Sequence, residues 1–237
     1  MAELSQSASL EQRGQDPHGL AMPRGLFMDD SLFTHELLTT VGYKAGVSFV
    51  SKCINAEEAF EAALKLEPDF ALLDLRIPGK TSGLVVAIKL KREFPDMPIA
   101  LFTGEPGVAI EHQVRYHGLN GIITKGCHLN ELITSLKALA GGAELWQVES
   151  GRPFISQNLD EWESLLSDNE IAALPCFARS WVDTQIAKAV NVDVQTVCDM
   201  RSRLQRVLEL EDFELVDTLT GMGFQYLELN RFDPVEL

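Results

Sequence analysis

The chain has 237 residues, room for one large domain or two ordinary ones, and its 46% hydrophobic content excludes a globally disordered polymer. Its four cysteines (Cys53, Cys127, Cys176, Cys198) form no CxxC pair or His/Cys cluster, which argues against structural zinc and a disulfide framework and suits a reducing cytoplasm. The net charge is −15, with 6 basic against 16 acidic residues in 160–237, and such acidity repels phosphate backbones.

Residues 1–24 are polar, lack the apolar core of a signal peptide, and read as a flexible N-terminal arm. No run of about 18 apolar residues follows, so a soluble cytoplasmic protein is expected. From Gly25 onward, short apolar runs alternate with amphipathic segments. Strands are predicted at 25–29, 47–54, 70–75, 98–104 and 121–125. Helices are predicted at 31–43, 56–67, 82–94, 108–118 and 129–142. Continuously apolar strands alternating with helices mean a parallel sheet covered on both faces, an α/β doubly wound five-stranded domain over 25–145. Residues 146–158 read as a linker, and 159–237 as a second, mainly α domain. Within it, FELVDTLTGMGFQYLEL (213–229) is expected to form a strand-turn-strand hairpin.

In doubly wound sheets the chemistry sits at the carboxyl ends of the strands. There the first strand ends in Asp29-Asp30, the third near Asp74, the fourth in Thr103 and the fifth in Lys125. Three converging carboxylates repel one another, and a hard divalent cation such as Mg²⁺ relieves this through oxygen ligands. One carboxylate can then act as nucleophile on a phosphoryl group, with the metal and the lysine offsetting charge on its oxygens. A haloacid-dehalogenase phosphatase needs a second Asp two residues after the first; Arg76 stands there.

These five residues, in order on successive strands, resemble the receiver domain of two-component response regulators. The resemblance implies Asp74 as phosphoacceptor, Thr103 and Lys125 as switch and phosphate contact, and a Mg²⁺ site of Asp29, Asp30, Asp74 and the main-chain carbonyl of Arg76. It implies a non-enzyme with a sensor histidine kinase as partner. Two positions depart from the family: Ile122 replaces an aromatic, and Gly126 a proline.

In the second domain, Ser167-x-x-Glu170 is a capping box that starts a helix. DTQIAKAV, the turn NVD and VQTVCDMRSRLQRVL then follow the helix-turn-helix plan. On the last helix Val194, Val197, Leu204 and Leu208 share one face. Leu166-Ser167-x-x-Glu170, Gln185-Ile186-Ala187-x-x-Val190 and Thr196-Val197 resemble the LuxR/NarL-type output domain, and the last hairpin resembles the OmpR-type wing. Ser180 replaces the family's loop glycine, and Cys198 and Val207 two of its basic residues. The resemblance implies transcription control through DNA, a homodimer and contact with RNA polymerase. Base contacts need Arg, Asn or Gln, and Gln195, Thr196, Arg201, Arg203 and Arg206 are the candidates. The alternative reading, favoured by the acidity, is a phosphorylation-dependent protein adaptor that does not bind DNA.

Overall fold

The computed structural model describes residues 21–78, 81–104, 107–145, 164–208, 210 and 214–227. The predicted arm, apart from its last four residues, and the predicted linker lie outside these. Five parallel strands form one sheet in the order β2-β1-β3-β4-β5, from β1 (Arg24–Met28), β2 (Ser48–Cys53), β3 (Phe70–Asp74), β4 (Ile99–Thr103) and β5 (Gly121–Thr124). Helices α1 (Leu32–Ala45), α2 (Ala56–Leu66), α3 (Gly83–Glu93), α4 (Val108–Tyr116) and α5 (Leu129–Ala140) alternate with the strands. Both the α/β class and the order of elements follow the sequence reading.

The physical reason lies in the strands. Every residue of β3 and β4 is buried, as expected of strands covered on two faces. β2, at the sheet edge, is half-exposed along most of its length. On one face, Phe27, Phe70, Leu72 and Phe102 pack with Leu38 and Val41 of α1 and Leu136 and Leu139 of α5. Phe27, Phe49, Phe70 and Phe102 form a chain of edge-on and tilted ring contacts, with centroids 5.7–6.3 Å apart. The strand order reverses between β1 and β3, so the crevice at their carboxyl ends is a topological switch point.

α3 begins against that crevice. The Gly83 N–H donates to the Leu75 carbonyl at 2.9 Å, and a Cβ on Gly83 would lie 1.7 Å from the Asp74 carbonyl oxygen. Only glycine lets the helix start approach the main chain of Asp74 so closely. Gly83→Ala is therefore expected to destabilise the protein by about 1–3 kcal/mol, read as a lower urea midpoint.

By compactness the chain falls into two units, residues 1–104 with 118–147, and residues 105–117 with 148–237. The second unit contains α4 together with α6 (Asp168–Ala178), α7 (Asp183–Ala189), α8 (Val194–Val207), α9 (Glu214–Gly221) and a 3-10 turn, Phe224–Tyr226. The capping box is present: Ser167 Oγ accepts from Glu170 N–H, and Glu170 Oε2 accepts from Ser167 N–H at 2.8 Å. The hairpin expected at 213–229 does not form; the described part of that segment is α9 and the 3-10 turn, so there is no wing there. Leu215 and Leu219, four residues apart, are both buried, and that is helical spacing. α6 holds this segment: Arg179 donates to the carbonyls of Gln225 (3.0 Å) and Leu227 (2.6 Å), and Thr220 Oγ to that of Ala178 (3.0 Å).

α6 ends in a Schellman motif. Ser180 N–H donates to the Phe177 carbonyl and Trp181 N–H to that of Cys176, which places Ser180 at φ 55°. Glycine suits that left-handed backbone, and serine adopts it under strain. Ser180→Gly is expected to raise the unfolding free energy by about 1 kcal/mol, measured by urea denaturation.

Candidate functional site

Asp29 follows the last residue of β1, Asp74 ends β3, Thr103 ends β4 and Lys125 follows β5. Parallel register brings them together. Lys125 Nζ lies 2.8 Å from Asp29 Oδ2 and 2.8 Å from Asp74 Oδ2. One oxygen of each of Asp29, Asp30 and Asp74 falls within 4.8 Å of the others. Asp29, Asp74 and Thr103 are buried, while Asp30 is exposed. The Lys125 N–H donates to the Thr103 carbonyl at 2.8 Å, which fixes the lysine to the end of β4. Its ammonium also stands 5.7 Å from the centre of the Phe102 ring. The Arg76 N–H donates to Asp74 Oδ1 at 3.3 Å, so the turn after β3 folds back onto the acid.

The electrostatics follow. Burial raises the Asp74 pKa above its ordinary value; the Lys125 hydrogen bond and charge oppose this, and Asp29 adds to it. Burial alone would lower the Lys125 pKa, but the hydrogen bonds and charges of Asp29 and Asp74 outweigh it and hold it above the usual lysine value. One ammonium thus faces two buried carboxylates, with Asp30 beside them. Asp29 Oδ2 is buried and has no hydrogen-bond donor aligned on it beyond the ion pair with Lys125. A deficit of positive charge and an all-oxygen donor set fit a hard divalent cation.

Folded Asp74 keeps its proton at pH values where the unfolded chain has lost it. The Asp74 contribution to stability therefore rises as pH falls through its raised folded value toward the ordinary carboxylate value of 3.8, and ionising the buried acid is destabilising. Asp74→Asn is expected to raise the thermal midpoint at pH 7 in EDTA by roughly 2–4 °C. The gain should shrink as the pH is lowered and wild-type Asp74 protonates.

The helix-turn-helix candidates all fall on α8, where they divide by role. Asp193 caps the helix, accepting from Thr196 N–H (2.8 Å) and Thr196 Oγ–H (2.7 Å). Asn191, at φ 55°, makes the turn before it. Arg201 pairs with Asp183 of α7 and lies 4.7 Å over the Phe177 ring of α6. Arg203 pairs with buried Glu170 at 3.2 Å and donates to the Leu165 carbonyl at 2.8 Å. Gln195 and Arg206 are exposed, in line with Asp199 and Ser202. Gln195 donates to Asp199 at 3.2 Å. Val194, expected on the packed face, is 42% exposed; Met200 joins Val197 and Leu204 there instead. Sequence reasoning passed over His35, which is buried beside the acidic crevice with Nε2 2.6 Å from the Asp29 carbonyl oxygen.

A parallel sheet of this order with a lysine bridging two strand-end acids defines a receiver. The chain matches the response regulator receiver domain over residues 26–137 and so carries a receiver domain there. It is 23% identical over 182 residues to the oxygen regulatory protein NreC of Staphylococcus epidermidis, covering 72% of this chain and 84% of that one. Among solved structures it is similar to the RcsB response regulator of Salmonella typhimurium, with a TM-score of 0.60, 23% identity, and 84% and 99% of the two chains covered. A structure of RcsB from Salmonella enterica serovar Typhimurium bound to the rprA promoter matches with a TM-score of 0.56, 22% identity, and 84% and 98% coverage. At 84% coverage of this chain, the likeness in fold takes in the helical module as well as the sheet domain. Among the described residues no helix is long and apolar enough to cross a membrane.

Proposed function

We propose that this response regulator accepts a phosphoryl group on Asp74 from a sensor histidine kinase and controls transcription by binding DNA through α8. In this reading residues 25–145 are the receiver, 159–237 the output domain, and the protein works in the cytoplasm as a homodimer that contacts RNA polymerase. The observation that carries it is Lys125 held 2.8 Å from both Asp29 and Asp74 at the sheet's switch point. Asp29, Asp30, Asp74 and the Arg76 carbonyl would hold Mg²⁺, which supplies charge neutralisation for the incoming phosphoryl oxygens. An Asp74 carboxylate oxygen attacks phosphorus, the P–N bond of the donor phosphohistidine breaks, and the imidazole nitrogen leaves with its electron pair. Lys125 offsets the charge on the phosphoryl oxygens, and the Thr103 hydroxyl binds one of them. Leu32 and Phe33, 75% and 78% exposed just past Asp29-Asp30, offer apolar surface on which a donor domain can seat.

Incubation with a small-molecule phosphodonor and Mg²⁺ should label the wild type and leave Asp74→Asn unlabelled; equal labelling would remove Asp74 from its role. The phosphorylated protein should bind promoter DNA at about 50 mM salt and lose most of that affinity by about 200 mM. Arg206→Ala should reduce the slope of log affinity against log salt by about 1. Arg201→Ala should instead lower the unfolding midpoint, because that side chain already serves the fold. The adaptor reading has one specific support: Arg201 and Arg203 are taken up by Asp183 and Glu170, and Asp199 lies on the exposed face of α8. No binding by the phosphorylated protein at the lower salt would favour it.

A further inference from the structure

We infer that His35 is a positioning residue for the acidic pocket: by donating its Nε2–H to the main-chain oxygen of Asp29, it sets the peptide from which Asp29 and Asp30 project. The inference rests on the proposed metal-assisted reading of that pocket and names a side chain of α1 that acts behind it. Asp29 is fully buried and anchored at several points. Its N–H donates to the Cys53 carbonyl at the end of β2 (2.9 Å), and its Oδ1 accepts from the Ser31 N–H (2.8 Å). Its carbonyl lies 2.6 Å from His35 Nε2. A carbonyl only accepts, so the ring must carry its proton on Nε2. The carboxylate oxygen left over, Oδ2, is the one facing Lys125.

The histidine is itself held. It is buried in the first turns of α1, with its ring edge-on to Phe27 at 5.2 Å, so its donor has one place to point. Removing the donor leaves the Asp29 carbonyl buried without that partner and frees the Asp29–Asp30 peptide to rotate. Rotation of that plane displaces two of the three carboxylates the cation needs. Groups behind a metal ligand that fix its orientation commonly set affinity as strongly as this.

The test is calorimetric titration of the full chain with Mg²⁺ alone, on wild type, His35→Ala, His35→Phe and His35→Gln. Thermal midpoints in EDTA identify the folded variants. Glutamine places an amide N–H near the position of Nε2; phenylalanine keeps the ring and loses the donor. Loss of affinity on the order of tenfold is expected for Ala and Phe, with Gln within about twofold of wild type. The rate of phosphoryl uptake from a small phosphodonor should recover in Phe at saturating Mg²⁺, because the defect lies in metal affinity. Wild-type affinity in the Phe variant, or a Gln variant as weak as Phe, would overturn the assignment. Should Ala or Phe fail to fold, Gln at wild-type affinity beside His35→Asn, whose amide reaches only as far as Nδ1, at the weakened level supports it; equal affinity of Gln and Asn overturns it. A wild type that takes up no Mg²⁺ overturns the metal-assisted reading itself.

Discussion

One ammonium shared between two buried carboxylates governs the chemistry of this protein. Lys125 can reach Asp29 and Asp74 at 2.8 Å because β1, β3 and β5 are parallel and end at one edge. An antiparallel strand would carry one of the three to the opposite edge. The sheet is therefore the device that concentrates charge, and its apolar strands provide the low-dielectric setting in which that charge matters. With two acids buried against one base, and Asp30 beside them, the pocket is short of positive charge. In the proposed function a divalent cation meets that imbalance and then offsets charge on the incoming phosphoryl group. Asp74 also sits where its ionised form is held against the preference set by burial.

The receiver was legible because each of its signals is local and redundant. Apolar runs such as FALLD and IALFT name buried strands, and the first polar residue at the end of each run names a position at the sheet's carboxyl edge. Once strand order is assumed parallel, Asp29, Asp74, Thr103 and Lys125 must meet. Contacts that use main-chain groups were not legible in the same way. His35 bonds to a carbonyl, which every residue supplies, so nothing in the sequence marks its partner. The C-terminal segment failed differently. Gly221 and Gly223 between apolar residues read as a turn joining two strands, yet Leu215 and Leu219 both bury and only a helix puts residues four apart on one face. Ser180 shows why a family glycine can be absent while its backbone conformation stays: α6 still ends in the left-handed turn, now formed by serine.

Charge was the sequence feature that argued most strongly against DNA. The fold sharpens that tension. Of the arginines on α8, Arg201 and Arg203 are engaged by Asp183 and Glu170, so the formal basic count overstates the charge left to meet phosphate. The line from Gln195 through Asp199 and Ser202 to Arg206 is better suited to hydrogen-bond readout than to dense phosphate contact. In the proposed function, few phosphates are neutralised per output domain, and affinity must come from pairing two such domains on one site. This makes the homodimer a requirement of the charge balance, because doubling the contacts is the available way to offset acidic surroundings.

The same economy applies to how the proposed phosphorylation is sensed. Where the family carries a rotating aromatic, this chain has Ile122, which lies 7% exposed in β5. An aliphatic side chain built into the sheet has no polar end to exchange between solvent and interior. The response is then left to the other strand-end groups. Thr103 is buried beside the acid-bearing strand, and its carbonyl receives the Lys125 N–H at 2.8 Å. A phosphoryl group on Asp74 that draws in both the threonine hydroxyl and the lysine ammonium pulls on two positions already joined by that main-chain bond. The ends of β4 and β5 would move as one piece. A switch of this kind would need no aromatic rotor, because its moving part is backbone.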